Sequence, residues 1–302
     1  MAASATVYFD RYARGLRTEP IYGEKWLRFA YENPAGRLAL WLGVKRAWFS
    51  RWYGRKMNRP ASGLKVLPFI SKYGIDVDEF EKSAFDFKTF NEFFFRALRP
   101  ESRPIAAGEG VAVLPADGRH LAFPDVDAAG GFYVKGAKFS VAELLGEPPD
   151  GPTASKFAGG AMLISRLCPT DYHRFHFPVG GVPGESRPIR GFLYSVHPVA
   201  LRRNIRYLVS NKREVTLIES PAFGTVAMAE VGATNVGSIK QSYVPGRPVA
   251  KGAEKGFFAF GGSCVVTLFQ RGRIRFDADL VEQGAKQIET YARMGDRLGV
   301  AT

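Results

Sequence analysis

Apolar and aromatic residues recur at intervals of three and four through the first hundred positions, and Pro34, Pro60 and Pro68 punctuate them, which predicts a series of helices. Thr89 and Glu92 have capping-box spacing, so a helix is expected over 90–98, closed off by Pro100. From about Val111 the period changes. Short β-branched and aromatic runs alternate with Gly/Pro turns at 111–114, 132–134, 161–165, 190–195, 214–219, 225–231, 257–260, 265–269 and 274–276, and these are expected strands. A short helix over 140–145, with Ser140 and Glu143 as its capping box, interrupts them, and 280–298 returns to helical character. There is no internal repeat. The expected class is α+β, with a helical module over 1–105 and a β-rich domain over 106–302.

Composition narrows the class of protein. The chain has 302 residues, 46% hydrophobic and 24% charged, which suits a globular fold with a sizeable core. Two cysteines cannot form a disulfide framework. The longest charge-free apolar stretch, 256–269, has 14 residues, too few for a membrane span. Asp10, Arg11 and Arg14 precede any apolar h-region, so no signal peptide is expected.

Charge is uneven. Of the net +13, +8 comes from residues 1–60, which hold 12 basic and 4 acidic side chains. Residues 34–60 hold seven basic residues (Arg37, Lys45, Arg46, Arg51, Arg55, Lys56, Arg59) and no acidic one, and all four tryptophans lie within the first 52 positions. On one helical wheel Leu38, Trp41, Leu42, Trp48, Phe49 and Trp52 share a face, with Lys45 and Lys56 obliged to snorkel from it. This pattern fits a helix on an anionic bilayer, and equally a helix packed on the protein with a solvated basic side. No nucleic-acid-binding motif accompanies the charge, so no nucleic-acid partner is expected.

Candidate chemistry gathers in three places. Pro115-Ala-Asp117-Gly-Arg-His120 follows an expected strand. Cys168-Pro-Thr-Asp-Tyr-His173-Arg-Phe-His176-Phe-Pro178 carries two of the four histidines. Phe257-Phe-Ala-Phe-Gly261-Gly262-Ser263-Cys264 sets a serine after two glycines in an apolar stretch. Taken on their own, these residues allow an Asp117–histidine–Ser263 relay, a zinc set drawn from His120, Cys168, Asp171, His173 and His176, or satisfied core histidines beside a β-bulge.

In combination and order, the three motifs resemble the phosphatidylserine decarboxylases, a pyruvoyl-dependent family. The resemblance extends from about Tyr22 to Phe276. It includes Asn91-Glu-Phe-Phe-Phe-Arg-Ala-Leu-Arg-Pro100, Phe223-Gly224, Val231-Gly-Ala-Thr-Asn-Val-Gly-Ser238 and Lys251-Gly-Ala-Glu-Lys-Gly-Phe-Phe-Ala-Phe-Gly-Gly-Ser263. Two positions depart from it: Cys264, where threonine is common, and His197, where asparagine is more usual.

The resemblance implies a proenzyme that cuts itself between Gly262 and Ser263 into a β chain, 1–262, and an α chain, 263–302, which stay together as a heterodimer. It implies that Ser263 becomes a covalent pyruvoyl group, derived from pyruvate, which forms a Schiff base with phosphatidylserine and yields phosphatidylethanolamine. His176 backed by Asp117 would activate Ser263, and His173 would return the proton; no metal is implied. A bilayer-held substrate makes the protein peripheral to the cell membrane, with 34–60 as docking surface. Arg166, Arg202, Arg203 and Lys251 are open as phosphate ligands or solvated charges. The rivals are a pyruvoyl decarboxylase of another amino-headed substrate and an unprocessed lipid-binding relative.

Overall fold

A computed structural model describes residues 6–302 apart from 235–237, 260 and 262. Gly262, one side of the expected cut, and three residues of the 231–238 motif therefore lie outside the described residues.

The described strands are β1 (Val7–Asp10), β2 (Gly15–Thr18), β3 (Val111–Val113), β4 (Gly118–Phe123), β5 (Ala161–Leu167), β6 (Arg174–His176), β7 (Val182–Pro183), β8 (Arg187–Ile189), β9 (Arg213–Ser220), β10 (Gly224–Gly232), β11 (Ser238–Gln241), β12 (Glu254–Ala259), β13 (Ser263–Phe269), β14 (Arg275–Phe276), β15 (Glu289–Ala292) and β16 (Arg297–Val300). Ten of them form one sheet in the order β2-β1-β15-β4-β5-β13-β10-β9-β7, with β8 also on β9. Two three-stranded sheets, β11-β12-β6 and β14-β16-β3, accompany it. With its helices, the protein is α+β.

The middle of the large sheet is apolar without alternation because both of its faces are covered. On β13, Cys264, Val266 and Leu268 enter one core with Leu121, Phe157, Ile164 and Leu208. Val265 and Phe269 enter the other with Leu163, Phe175, Phe177 and Phe258. A third, largely aromatic cluster of Phe69, Phe80, Phe87, Phe90, Phe93 and Phe94 holds the N-terminal helices together. Strands from before and after residue 262 alternate: β13 lies between β5 and β10, and β15 between β1 and β4.

Helices do occupy much of the first hundred residues, at Glu24–Glu32, Pro34–Ala39, Ala47–Met57 and Val66–Tyr73. Before them the helical expectation is overturned. β1 and β2 form a hairpin, and β1 runs parallel to β15, an edge extension too short to leave a two-residue period in the sequence. The helix expected over 90–98 stops at Phe94. Thr89 caps the Glu92 amide, but the Glu92 carboxylate turns to Lys82 and to the Lys88 amide, and Leu98 bridges Phe80. The box at Ser140 and Glu143 is complete. Residues 280–298 are not one helix: Ala278–Ala285 ends where Gln287 takes φ +59°, and β15 and β16 follow. The runs at 132–134 and 190–195 are not strands. Tyr133 sits at φ +61° with its hydroxyl donating to Glu289 at 2.9 Å, and Phe192 makes only an isolated bridge to Asn211.

Arg166 on β5 overturns the reading of solvated charge. It is 2% exposed, and its guanidinium donates to Glu19 at 2.7 and 3.0 Å, to Glu289 at 2.5 and 2.9 Å and to Cys168 Sγ at 2.9 Å. Burial raises the proton affinity of Glu19, but Arg166 more than offsets this and holds the carboxyl well below its usual range. Removing one member of such a cluster leaves buried charge unmatched, at a cost of about 3–5 kcal/mol. Arg166→Met is therefore expected to lose about that much stability in denaturant unfolding. Adding Glu19→Gln and Glu289→Gln should restore most of it; a triple variant no more stable than the single one would contradict this.

Candidate active site

Asp117 follows β3 and precedes Gly118, where a Cβ would meet the Arg166 carbonyl oxygen at 2.3 Å. Only glycine allows that approach of β4 to β5, and it fixes where Asp117 sits. Its carboxylate accepts from Arg103 at 2.6, 2.9 and 3.0 Å and from the Met294 amide at 2.8 Å. Arg103 also donates to Glu79 at 2.9 Å.

The two-histidine motif forms β6 and the turn before it. The His176 amide donates to the Pro115 carbonyl at 2.7 Å, and the His173 carbonyl accepts from the Phe258 amide at 3.0 Å, so the motif is held between the Asp117 loop and β12. His176 Nδ1 is 2.9 Å from the Gly252 carbonyl oxygen, which can only accept; the proton therefore sits on Nδ1, and Nε2 accepts from the Tyr172 hydroxyl at 3.2 Å. By the same argument His173 carries its proton on Nδ1, 2.9 Å from the Asp171 carbonyl oxygen. The His173 Nε2 is buried without a hydrogen-bond partner among the described residues, and the ring packs against Phe94 at 3.8 Å between centroids, tilted by 36°.

Ser263 opens β13, paired with Gly232 on one side and Leu167 on the other. The strands expected at 257–260 and 265–269 belong to different sheets, β12 to a small one and β13 to the large one, so the chain changes sheet before Ser263. Gly261 has φ +121°, a conformation closed to side-chain-bearing residues. The Ser263 hydroxyl is fully buried and has no hydrogen-bond partner among the described residues.

Asp117, His173, His176 and Ser263 are all buried. Asp117 raises the proton affinity of His176 through space, against the larger effect of burial, which lowers it. Among the described residues, however, no hydrogen bond joins Asp117 to His176 or His176 to Ser263; Arg103 and Tyr172 hold those positions. Neither was singled out from the sequence. Tyr172 stands four residues before His176 inside the motif, whereas Arg103 carries no local signal.

His120, Cys168 and Asp171 are internal. Asp171 accepts from Arg119 at 2.6 Å and from the Cys168 amide at 2.7 Å. His120 lies between Ser165 and the Ala292 carbonyl. Among the described residues no group of three or more His, Cys, Asp or Glu side chains is placed to hold a metal ion. Lys251 donates to the Gly108 carbonyl at 2.7 Å, and Arg202 and Arg203 are exposed. His197 caps the helix Pro198–Leu201 by accepting from the Val199 amide, a role asparagine fills equally well.

A model of the phosphatidylserine decarboxylase family matches residues 90–300, which contain every residue of this site. The chain belongs to that family. Relatives named phosphatidylserine decarboxylase proenzyme include one from Chlamydia muridarum, 46% identical over 299 residues, covering 99% of this chain and 98% of the relative. One from Desulfitobacterium hafniense is 43% identical and covers 97% of each chain. A third, from Fusobacterium nucleatum, is 41% identical and covers 97% of this chain and 96% of the relative.

Burial pushes His120 and His173 down to about 3. The unfolded chain protonates them near 6.5, so between these values it binds more protons than the folded chain, and stability falls as pH falls. Each histidine is expected to cost about 2 kcal/mol between pH 7 and pH 5. His120→Asn should flatten the change in urea midpoint over that interval; an unaltered pH dependence would contradict the assignment.

Proposed function

We propose that this phosphatidylserine decarboxylase matures by cutting its own chain before Ser263, and that it docks on the membrane holding its substrate through its N-terminal helices. The reaction is decarboxylation of phosphatidylserine to phosphatidylethanolamine. The observation that carries the maturation reading is the buried Ser263 hydroxyl, without a hydrogen-bond partner among the described residues, where the chain passes from the sheet of β12 to that of β13.

In the proposed cut, Ser263 Oγ attacks the Gly262 carbonyl carbon. The peptide C–N bond breaks and an ester forms. A base then removes the Ser263 Cα proton, the Cβ–Oγ bond breaks, and Oγ departs with Gly262 as a carboxylate. Water supplies the ketone oxygen at residue 263 and ammonia leaves. A serine hydroxyl needs a base for the first step. His176 Nε2 is the lone-pair nitrogen suited to this, with the Asp117 charge favouring its protonated form. Burial of Ser263 between two apolar cores keeps bulk water from competing before the ester forms. The pyruvoyl group so made supplies an electron sink for loss of carbon dioxide. His173, immediately before β6, is the proposed proton carrier to the substrate α-carbon. The interleaving of β13 and β15 with strands from before residue 262 supports a two-chain product that stays assembled.

Membrane docking is supported by what the helices leave uncovered. All four tryptophans are more than half exposed, Trp26 at 78%, with Leu38, Leu42 and Leu64 exposed beside them. Among the described residues no helix is long and apolar enough to cross a membrane. The single-wheel picture is corrected: the chain widens into a π-helical turn through Leu40–Val44 and breaks before Ala47–Met57. Lys45 does not snorkel; it is buried, donating to the Tyr194 hydroxyl at 3.0 Å and lying 4.5 Å from the Phe192 ring centroid.

The purified protein is expected to be two chains by intact mass, the smaller spanning the 40 residues 263–302. Ser263→Ala should remain one chain. Asp117→Asn and His176→Ala should accumulate the uncut form, while His173→Ala should cut yet decarboxylate poorly. Identical behaviour of the two histidine variants would refute the division of roles.

Sedimentation with phosphatidylserine-containing vesicles checks the docking. Binding should weaken with salt without vanishing, because basic side chains contribute about 1 kcal/mol each and are screened, whereas the tryptophans are not. Arg55, Lys56 and Arg59 replaced together by Gln should flatten the salt dependence, and Trp48→Ala should weaken binding at every salt concentration. Unchanged binding in both would place docking elsewhere.

A further inference from the structure

Lys45 lies in the break between the π-helical turn Leu40–Val44 and the helix Ala47–Met57, and it is 5% exposed. A hydroxyl and three rings hold its ammonium. Nζ donates to the Tyr194 hydroxyl at 3.0 Å and lies 4.5, 5.4 and 5.6 Å from the ring centroids of Phe192, Tyr194 and Trp41. Arg46 packs on the Phe192 ring beside it, at 5.6 Å. Taking an ammonium out of water is unfavourable, and contact with ring faces offsets this only in part. What the cage contributes therefore lies in what it joins.

On one side it joins the N-terminal helices. The Lys45 carbonyl accepts from the Leu193 amide at 3.0 Å, and the Tyr31 hydroxyl, on the helix Glu24–Glu32, accepts from the Ser195 amide at 2.6 Å. Tyr31 and Leu40 share a small core with Tyr194 and Tyr207, whose rings stack at 4.1 Å. On the other side it joins the sheet that carries Ser263. Asn211, fully buried, accepts from the Tyr194 amide and donates to the carbonyls of Tyr194 and Gly232, each at 2.8 Å. Thr234 donates to the Leu193 carbonyl at 2.7 Å. Gly232 stands directly opposite Ser263 in the β10–β13 pairing. An unbroken set of contacts thus runs from Trp41, 59% exposed on the docking surface, to the strand partner of Ser263.

We infer that the Lys45 cage is the joint that fixes the height and tilt of the docking surface relative to Ser263, which makes Lys45 a positioning residue for reaction at a bilayer. The inference rests on the docking reading above. Acyl chains tether the phosphatidylserine headgroup at the membrane surface, so it cannot diffuse to a site held at the wrong height, and a misplacement of about 1 Å costs up to about a hundredfold in rate. A phosphatidylserine molecule dispersed in water makes no such demand. Lys45 is buried, so it is not itself a lipid contact.

The test uses Lys45→Met, Lys45→Arg and Tyr194→Phe, the last removing only the hydroxyl. Each full-length protein is sedimented with phosphatidylserine-containing vesicles and assayed on two substrates, those vesicles and dihexanoyl phosphatidylserine below its micelle concentration. Intact mass shows whether each variant carries the same chains as the wild type, and rates are taken per such molecule. A wild type that does not sediment overturns the docking reading and this inference with it, before any variant is compared. With a wild type that does, Lys45→Met should keep vesicle binding and kcat/KM on dispersed substrate within about twofold, yet lose about tenfold or more on vesicle substrate. Lys45→Arg, which keeps the charge and the donors, should recover most of that loss, and Tyr194→Phe should show a smaller loss of the same kind. Equal losses on both substrates make the cage a packing feature and overturn the inference. So does a fall in vesicle binding that matches the fall in rate, or an unchanged rate on vesicles. Where Lys45→Met does not fold, Tyr194→Phe carries the same comparison.

Discussion

A guanidinium buried in the centre of a sheet must be neutralised from nearby, and Arg166 draws its two carboxylates from opposite ends of the chain. Glu19 follows the N-terminal hairpin, and Glu289 opens the strand beside which β1 lies. The fold around Ser263 follows from meeting this requirement. Arg166 is directly opposite Cys264 in the β5–β13 pairing, so the cluster sits one residue from Ser263. Cys168 completes the cluster, and burial holds its thiol well above the usual range, which makes it a neutral donor to Glu19.

Dryness governs the chemistry of the site in the same way. Both motif histidines are neutral because burial outweighs every favourable charge near them, and each has its Nδ1 proton fixed by a backbone carbonyl. That leaves the lone pair on Nε2 in both. Asp117 is not a free carboxylate awaiting a histidine. Arg103 clasps it, and Arg103 is in turn tied to Glu79 in the aromatic-cored N-terminal region. The helical region and the site are thus linked by one guanidinium as well as by proximity.

The central strands were legible because their two-sided burial leaves unbroken apolar runs, and the box at Ser140 was legible because its two hydrogen bonds are local. The hairpin of β1 and β2 was not, since its four-residue strands gain their stability from pairing with β15, far away in sequence. For the same reason β15 itself was read as helix. The sequence placed Asp117, His173, His176 and Ser263 in three motifs, and all four prove buried. It did not reveal Arg103 or the pairing of Arg166, because an arginine reads as surface charge until the fold shows what surrounds it. Lys45 misled in the same way: its aromatic partners Phe192 and Tyr194 come from a distant loop.

The parallel pairing of β1 with β15 also sets an order on biosynthesis. The first strand to be synthesised has its partner among the last residues to be made, and Arg166 has only one of its two carboxylates until residue 289 is in place. Contacts of such long sequence separation form late. While the chain is still growing, the large sheet lacks β15 between β1 and β4, and the cluster opposite Cys264 lacks its second carboxylate. The bond before Ser263 is therefore made well before its surroundings are complete, so a nascent or truncated chain does not yet hold the serine as the finished fold does. The cut proposed before Ser263 would thereby wait until residue 289 is in place.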